Sequence, residues 1–123
     1  MNRTEATAKL LSFLLLTTAL AGCTGLASTT PIADIAADRT TVNVGETVNF
    51  DARGSSTPSP TIIDEYVWDF GEGEKRTTTT GIAFHTFAEA GNRDVEVEVF
   101  NDQGESDRAS IAIFVNSPPI VVL

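Results

Sequence analysis

From residue 32 onward, apolar side chains recur at every second position, the period of a strand with one buried face. The segment 93–100 gives the clearest case: Val95, Val97 and Val99 point one way, while Asp94, Glu96 and Glu98 point the other. In 47–52, Val48, Phe50 and Ala52 share a side; in 62–70, Tyr66, Trp68 and Phe70 do; in 110–115, Ile111, Ile113 and Val115 do. Weaker strand patterns cover 32–36, the pair Val42 and Val44, the β-branched run 77–80, and 82–87. Turn residues punctuate the series at Gly45-Glu46, 71–74, 90–92 and 101–104, and 54–60 reads as a loop. No stretch of a dozen residues after position 23 carries a helical period. The pattern therefore predicts an all-β chain of about seven short strands, folded as a β-sandwich. Its core is built from Val48, Phe50, Tyr66, Trp68, Phe70, Val95, Val97, Val99, Ile111, Ile113 and Val115.

The first 22 residues break this pattern. Arg3 and Lys9 precede an uncharged apolar run, 10–21. That run is too short to span a bilayer, which takes about 20 residues, and has the length of a signal-peptide core. Small residues end it, and the only cysteine, Cys23, follows. Leu20-Ala21-Gly22-Cys23 resembles a prokaryotic lipobox. The resemblance implies that 1–22 is a lipoprotein signal peptide and that the Cys23 thiol carries a diacylglyceryl group. Such an anchor, with two acyl chains, holds a protein stably at a membrane. No twin-arginine pair precedes the run, so export as an unfolded chain is expected. Residues 23–31 read as a tether, 32–116 as the folded domain, and 117–123 as a linker or the stub of a further strand. The expected address is the extracellular face of the cell membrane.

Composition narrows the options. The 123 residues carry 17 acidic and 8 basic side chains, a net charge of −9. Without 1–22, which hold Arg3, Lys9 and Glu5, 16 acidic and 6 basic side chains remain, only one of them lysine. Nucleic acid is not an expected partner, because binding it requires basic groups to displace counterions. Strong acidity with few lysines is the solvation pattern of proteins from high salt, where self-repulsion is screened. One thiol cannot form a disulfide within the chain, and one Cys with one His cannot complete a structural zinc site.

Three segments resemble one family. Tyr66-Val67-Trp68-Asp69-Phe70-Gly71-Glu72-Gly73 is similar to the signature of polycystic kidney disease (PKD) domains, usually Trp-Asp-Phe-Gly-Asp-Gly. His85-Thr86-Phe87 with Gly91 resembles the next motif, and 95–99 with Asn101, Asp102 and Gly104 the strand and turn after it. The match covers about 32–116 and implies an Ig-like sandwich of two antiparallel sheets. Glu72, Phe87 and Arg93 depart from the usual Asp, Tyr and aromatic residue. Phe87 lacks a hydroxyl to bond, and Arg93 either loosens a strand end or pairs with an acid. The motif residues Trp68, Asp69, Phe70, Gly71, Gly73, His85 and Gly91 have structural expectations. Trp68 fills the space between the sheets with Phe70 beside it. Asp69 caps the following turn, and Gly71 and Gly73 permit positive φ.

Chemistry is sparse. His85 is the sole imidazole, and no nucleophile motif accompanies it, so a packing and hydrogen-bonding place is expected rather than catalysis. The row Asp94, Glu96 and Glu98, with Asp102 and Asp107 near the Gly104 turn, supplies weak calcium candidates. A flat row wraps a cation poorly, since calcium takes six to eight converging oxygens. No other cofactor is indicated. Carbohydrate binding by stacking would need surface aromatics; Phe84 and Phe100 lie off the inward parity and are either exposed contacts or, the preferred reading, fillers of the edge of the core. The resulting expectation is a non-catalytic, lipid-anchored surface module that contacts a surface protein or glycan or acts as a spacer. The alternative is the N-terminal part of a longer PKD array, or an accessory domain of a secreted hydrolase.

Overall fold

The computed structural model describes residues 28–117. The leader, the lipobox Leu20, Ala21 and Gly22, the lipidation candidate Cys23 and the stub 118–123 lie outside the described residues. Eight strands form two sheets: β1 (Ala36–Ala37), β2 (Thr41–Asn43), β3 (Thr47–Asp51), β4 (Ile63–Asp69), β5 (Lys75–Thr78), β6 (Ile82–Thr86), β7 (Gly91–Asn101) and β8 (Ser106–Asn116). A three-stranded sheet has the order β1-β3-β6, and a five-stranded sheet the order β2-β8-β7-β4-β5.

The alternating faces meet between the sheets. Val48 and Phe50 from the small sheet face Trp68, Val95, Val97, Val99 and Ile113 from the large one, each fully buried. Trp68 sits among Tyr66, Phe50 and Phe70, with ring centroids 6.5, 6.4 and 6.4 Å away. Its indole N–H donates to Thr78 Oγ1 at 3.0 Å, so the buried polar atom has its partner. Ile111 is only partly buried and packs against the margin of this core.

Several expectations need correcting. One pairing is parallel: β2 lies alongside β8, with Val42 opposite Val115, where two wholly antiparallel sheets were expected. The run 77–80 is displaced to Lys75–Thr78, because β5 takes its register from β4, with Asp69 opposite Lys75 and Tyr66 opposite Thr78. Gly91 and Asn92 open β7 rather than forming a turn, since β8 extends far enough to pair with them. Of 32–36 only Ala36 lies in a strand; Ile32 makes an isolated bridge to Ser56. Phe84 does not fill the edge of the core; it is 60% exposed.

Gly81, just before β6, is a packing constraint. Its φ is +71°, and a Cβ there would stand 2.9 Å from Tyr66 Cζ and 3.2 Å from Arg53 Cγ. Gly81→Ala combines a left-handed backbone, which costs about 1–2 kcal/mol for an L-residue, with a clash against a buried ring. A fall in thermal melting temperature of several degrees is expected, and an unchanged melting curve would contradict the close approach.

The two ends of the described chain lie at opposite poles. Thr29 meets the β7–β8 turn, where its carbonyl accepts from Asn101 Nδ2 at 2.7 Å. Asn116 lies at the far end of β8, beside Asn43.

Candidate functional site

The turn after β4 is organised by the motif residues. Asp69 Oδ1 accepts the Gly71 N–H at 2.9 Å, and Gly71 and Gly73 take φ values of +80° and +97°. The loop brings Glu72 to His85, with Glu72 Oε1 2.7 Å from His85 Nε2. The imidazole lies flat on Phe70, centroids 4.3 Å apart, and edge-on to Phe87 at 4.8 Å. Glu72 Oε2 also accepts the Ala88 N–H at 3.2 Å. Partial burial pushes the Glu72 carboxyl up, but the bonds from His85 and Ala88 outweigh it, and the net direction is down. Arg93 takes the acid-pairing option: Nη2 lies 3.3 Å from Glu89 Oε1, and Nε 3.9 Å from Glu72 Oε2. The cluster fastens the β4–β5 connection to β6 and to the start of β7.

The calcium candidates are not brought together. Asp94 and Glu96 pair across the sheet with Ala112 and Ser110. Asp102 Oδ1 accepts the Ile62 N–H at 3.2 Å, and Asp107 Oδ2 the Ala33 N–H at 2.8 Å, toward the opposite pole. Glu98 accepts from Ser106 Oγ at 2.8 Å and from Arg108 at 3.3 Å, which lowers its pKa. Among the described residues, no three of His, Cys, Asp and Glu converge as metal ligands.

Sequence reasoning missed two places. The first is Asn101, 2% exposed at the head of the β7–β8 turn. Its Oδ1 accepts the Gln103 and Glu105 N–H groups, both at 3.0 Å, while Nδ2 donates to Thr29 O. The signal was an Asn three residues before a Gly, a pattern that lets a side-chain carbonyl fold the turn.

The second is the outer face of the small sheet. Phe84 stands opposite Asn49, Ile82 opposite Asp51, and Thr86 opposite Thr47. Asn49 is fixed by Asp38: its backbone N–H and its Nδ2 donate to the two carboxylate oxygens at 3.1 and 2.9 Å. The Asp38 N–H donates back to the Asn49 carbonyl at 3.0 Å. Arg53 forks onto Asp51, Nε to Oδ1 at 3.0 Å and Nη2 to Oδ2 at 2.8 Å. That hydrogen-bonded fork, with the Arg53 N–H, holds the Asp51 carboxyl at about 2, so it loses its charge only in strong acid. The Arg76 Nη1 group caps the neighbouring edge by donating to the Phe84 carbonyl at 2.6 Å. Arg39 Nε lies 3.9 Å from Asp38 Oδ1, so each of the two acids faces an arginine, and beside them stands an exposed aromatic ring.

Among solved structures, the chain is similar to one described as a carbohydrate-binding module of the β-sandwich superfamily. The two share 31% identity with a TM-score of 0.68, over 72% of this chain and 35% of the other. This chain therefore spans about a third of that protein. The PKD1 domain of the Vibrio cholerae metalloprotease PrtV shares 29% identity over 71% of this chain and 98% of that one, with a TM-score of 0.59. The PKD1 domain of Vibrio anguillarum Epp is similar in fold, at 21% identity and a TM-score of 0.61, over 75% of this chain and all of that one. A search of curated proteins finds no match. The PKD domain family model matches residues 28–115. With the motif turn, the His85 stack and the sandwich in place, the chain belongs to the PKD domain family.

Proposed function

We propose that this protein is a lipid-anchored, non-catalytic contact module on the outer face of the cell membrane. The small sheet faces the partner. The observation that carries the contact role is Phe84, 60% exposed in a regular strand whose inward positions are already filled. Single exposed apolar residues are ordinary. This one is flanked by Ile82, 38% exposed, and by polar groups already locked in place. Anchorage rests on the lipobox sequence ending at Cys23, and the strongly acidic surface suits a high-salt environment. The similarity to a carbohydrate-binding module supports a glycan as partner, and the PKD family equally accommodates protein contact. A spacer role is compatible with contact and is favoured by the placement of Thr29 and Asn116 at opposite poles.

Two measurements test this reading. Cys23→Ala is expected to move the protein from the membrane pellet to the soluble fraction; retention in the pellet would overturn the anchor. A photoreactive side chain at residue 84 is expected to cross-link to envelope material on intact cells. The same group at Ser110, exposed on the outer face of the large sheet, is expected to cross-link far less. Equal labelling from both positions would remove the small sheet as the contact face.

A further inference from the structure

The outer face of the small sheet presents three cross-strand rows, Thr47 with Thr86, Asn49 with Phe84, and Asp51 with Ile82. Beside them a hollow of about 350 Å³ opens between Ala36, Asp38, Asn49, Asp51, Arg53 and Ile82. We infer that this face binds a neutral glycan, with Phe84 as the stacking platform and Asn49 and Arg53 as the hydrogen-bonding groups. The inference rests on the contact-face reading above and names the ligand class for it.

Four features carry it. First, an exposed aromatic ring has a negative face that attracts the C–H groups lining one side of a sugar ring. Phe84 offers such a ring, and its partner strand sets its position through Asn49. Second, polar groups on this face are already hydrogen-bonded to one another and still have atoms to spare. Three hydrogen bonds link Asp38 to Asn49, yet Asn49 Oδ1 has no partner among the described residues. Arg53 uses Nε and Nη2 on Asp51, which leaves Nη1 as a donor without a partner among the described residues. An acceptor opposite the ring and a donor at the Asp51 end of the same face are thus available to hydroxyl groups.

Third, the charges are answered within the face. Asp38 faces Arg39 and Asp51 faces Arg53, so a polycation meets two arginines and a polyanion two carboxylates on a chain of net charge −9. A neutral polyhydroxyl ligand meets neither obstacle. Fourth, the face is small. Two strands at about 4.8 Å spacing and three rows at about 6.8 Å give a footprint of about 200 Å² before its margins. A stable protein interface takes about 800 Å² from each partner. The patch is the right order for a few sugar rings, whereas a protein partner would have to extend well beyond it.

The test uses the whole chain, extracted in a detergent without a sugar headgroup. The probes are three neutral oligosaccharides, cellohexaose, fully N-acetylated chitohexaose and mannohexaose, with polygalacturonate as the anionic comparison. Binding to at least one neutral probe is expected, with a fall of tenfold or more in Phe84→Ala and severalfold in Asn49→Ala. Phe84→Trp is expected to retain or strengthen binding, which guards against reading a folding defect as lost contact. If no neutral probe binds while residue 84 still cross-links to the envelope, the glycan inference is wrong and the contact face stands. Binding that is indifferent to Phe84→Ala places the site elsewhere. Equal affinity for polygalacturonate overturns the neutral class.

Discussion

Trp68→Ala is expected to lower the unfolding free energy by about 3–5 kcal/mol, a large part of the 5–15 kcal/mol typical of a domain. The indole is fully buried where the two sheets meet, in contact with Phe50, Phe70 and Tyr66. Its removal leaves a void between close-packed layers that the backbone cannot collapse to fill. No disulfide within the chain limits the damage, since Cys23 is the only cysteine. The denaturation midpoint is expected to fall with little change in slope, which identifies lost stability rather than a changed unfolded state. Trp68→Phe separates two contributions. It keeps most of the ring volume but abandons the bond to Thr78 Oγ1, and is expected to cost less than half as much. Equal losses in both variants would show that the hydrogen bond, not the packing, holds the sheets.

The second large effect is expected at Asn101. Asn101→Ala removes an acceptor from two backbone N–H groups, Gln103 and Glu105, and a donor from the Thr29 carbonyl. Buried groups stripped of partners cost about 1–3 kcal/mol each, and partial access to water at the turn moderates the sum to about 2–4 kcal/mol. Thr29 is also tied to the Glu105 carboxylate through its hydroxyl. The diagnostic reading is therefore local: backbone amide exchange at Gln103 and Glu105 should accelerate more than exchange in β4. A uniform acceleration would mean that the side chain supports the whole fold and not this junction.

Much of the sandwich was legible because its strands bury one face. Parity alone places Val95, Val97 and Val99 inward, and all three are fully buried. Parity also points Phe84 outward. It was the expectation that a large aromatic seeks the core that misled, since the inward positions of β6 and its surroundings are filled by Ala83 and Phe87. Register was not legible. Whether 75–78 or 77–80 pairs with β4 depends on the turn between them, and the parallel β2–β8 contact joins segments some seventy positions apart. His85 lies against the motif turn through Glu72, a residue noted in the sequence only as a substitute for Asp. Asn101 was read as an ordinary turn residue, because nothing local shows that a segment seventy-two positions earlier returns to it.

The opposite poles of the chain have a mechanical consequence. Tension between Thr29 and Asn116 runs along β8, which is eleven residues long and hydrogen-bonded to β7 on one side. On the other side β2 runs parallel to its last turn-distal residues, Phe114, Val115 and Asn116. Hydrogen bonds in a ladder lie across the strands, so a pull along them loads many bonds at once instead of opening them one by one. The Asn101 clasp on Thr29 puts the other point of attachment at the base of the same strand pair. A module built this way resists shear applied between its two poles.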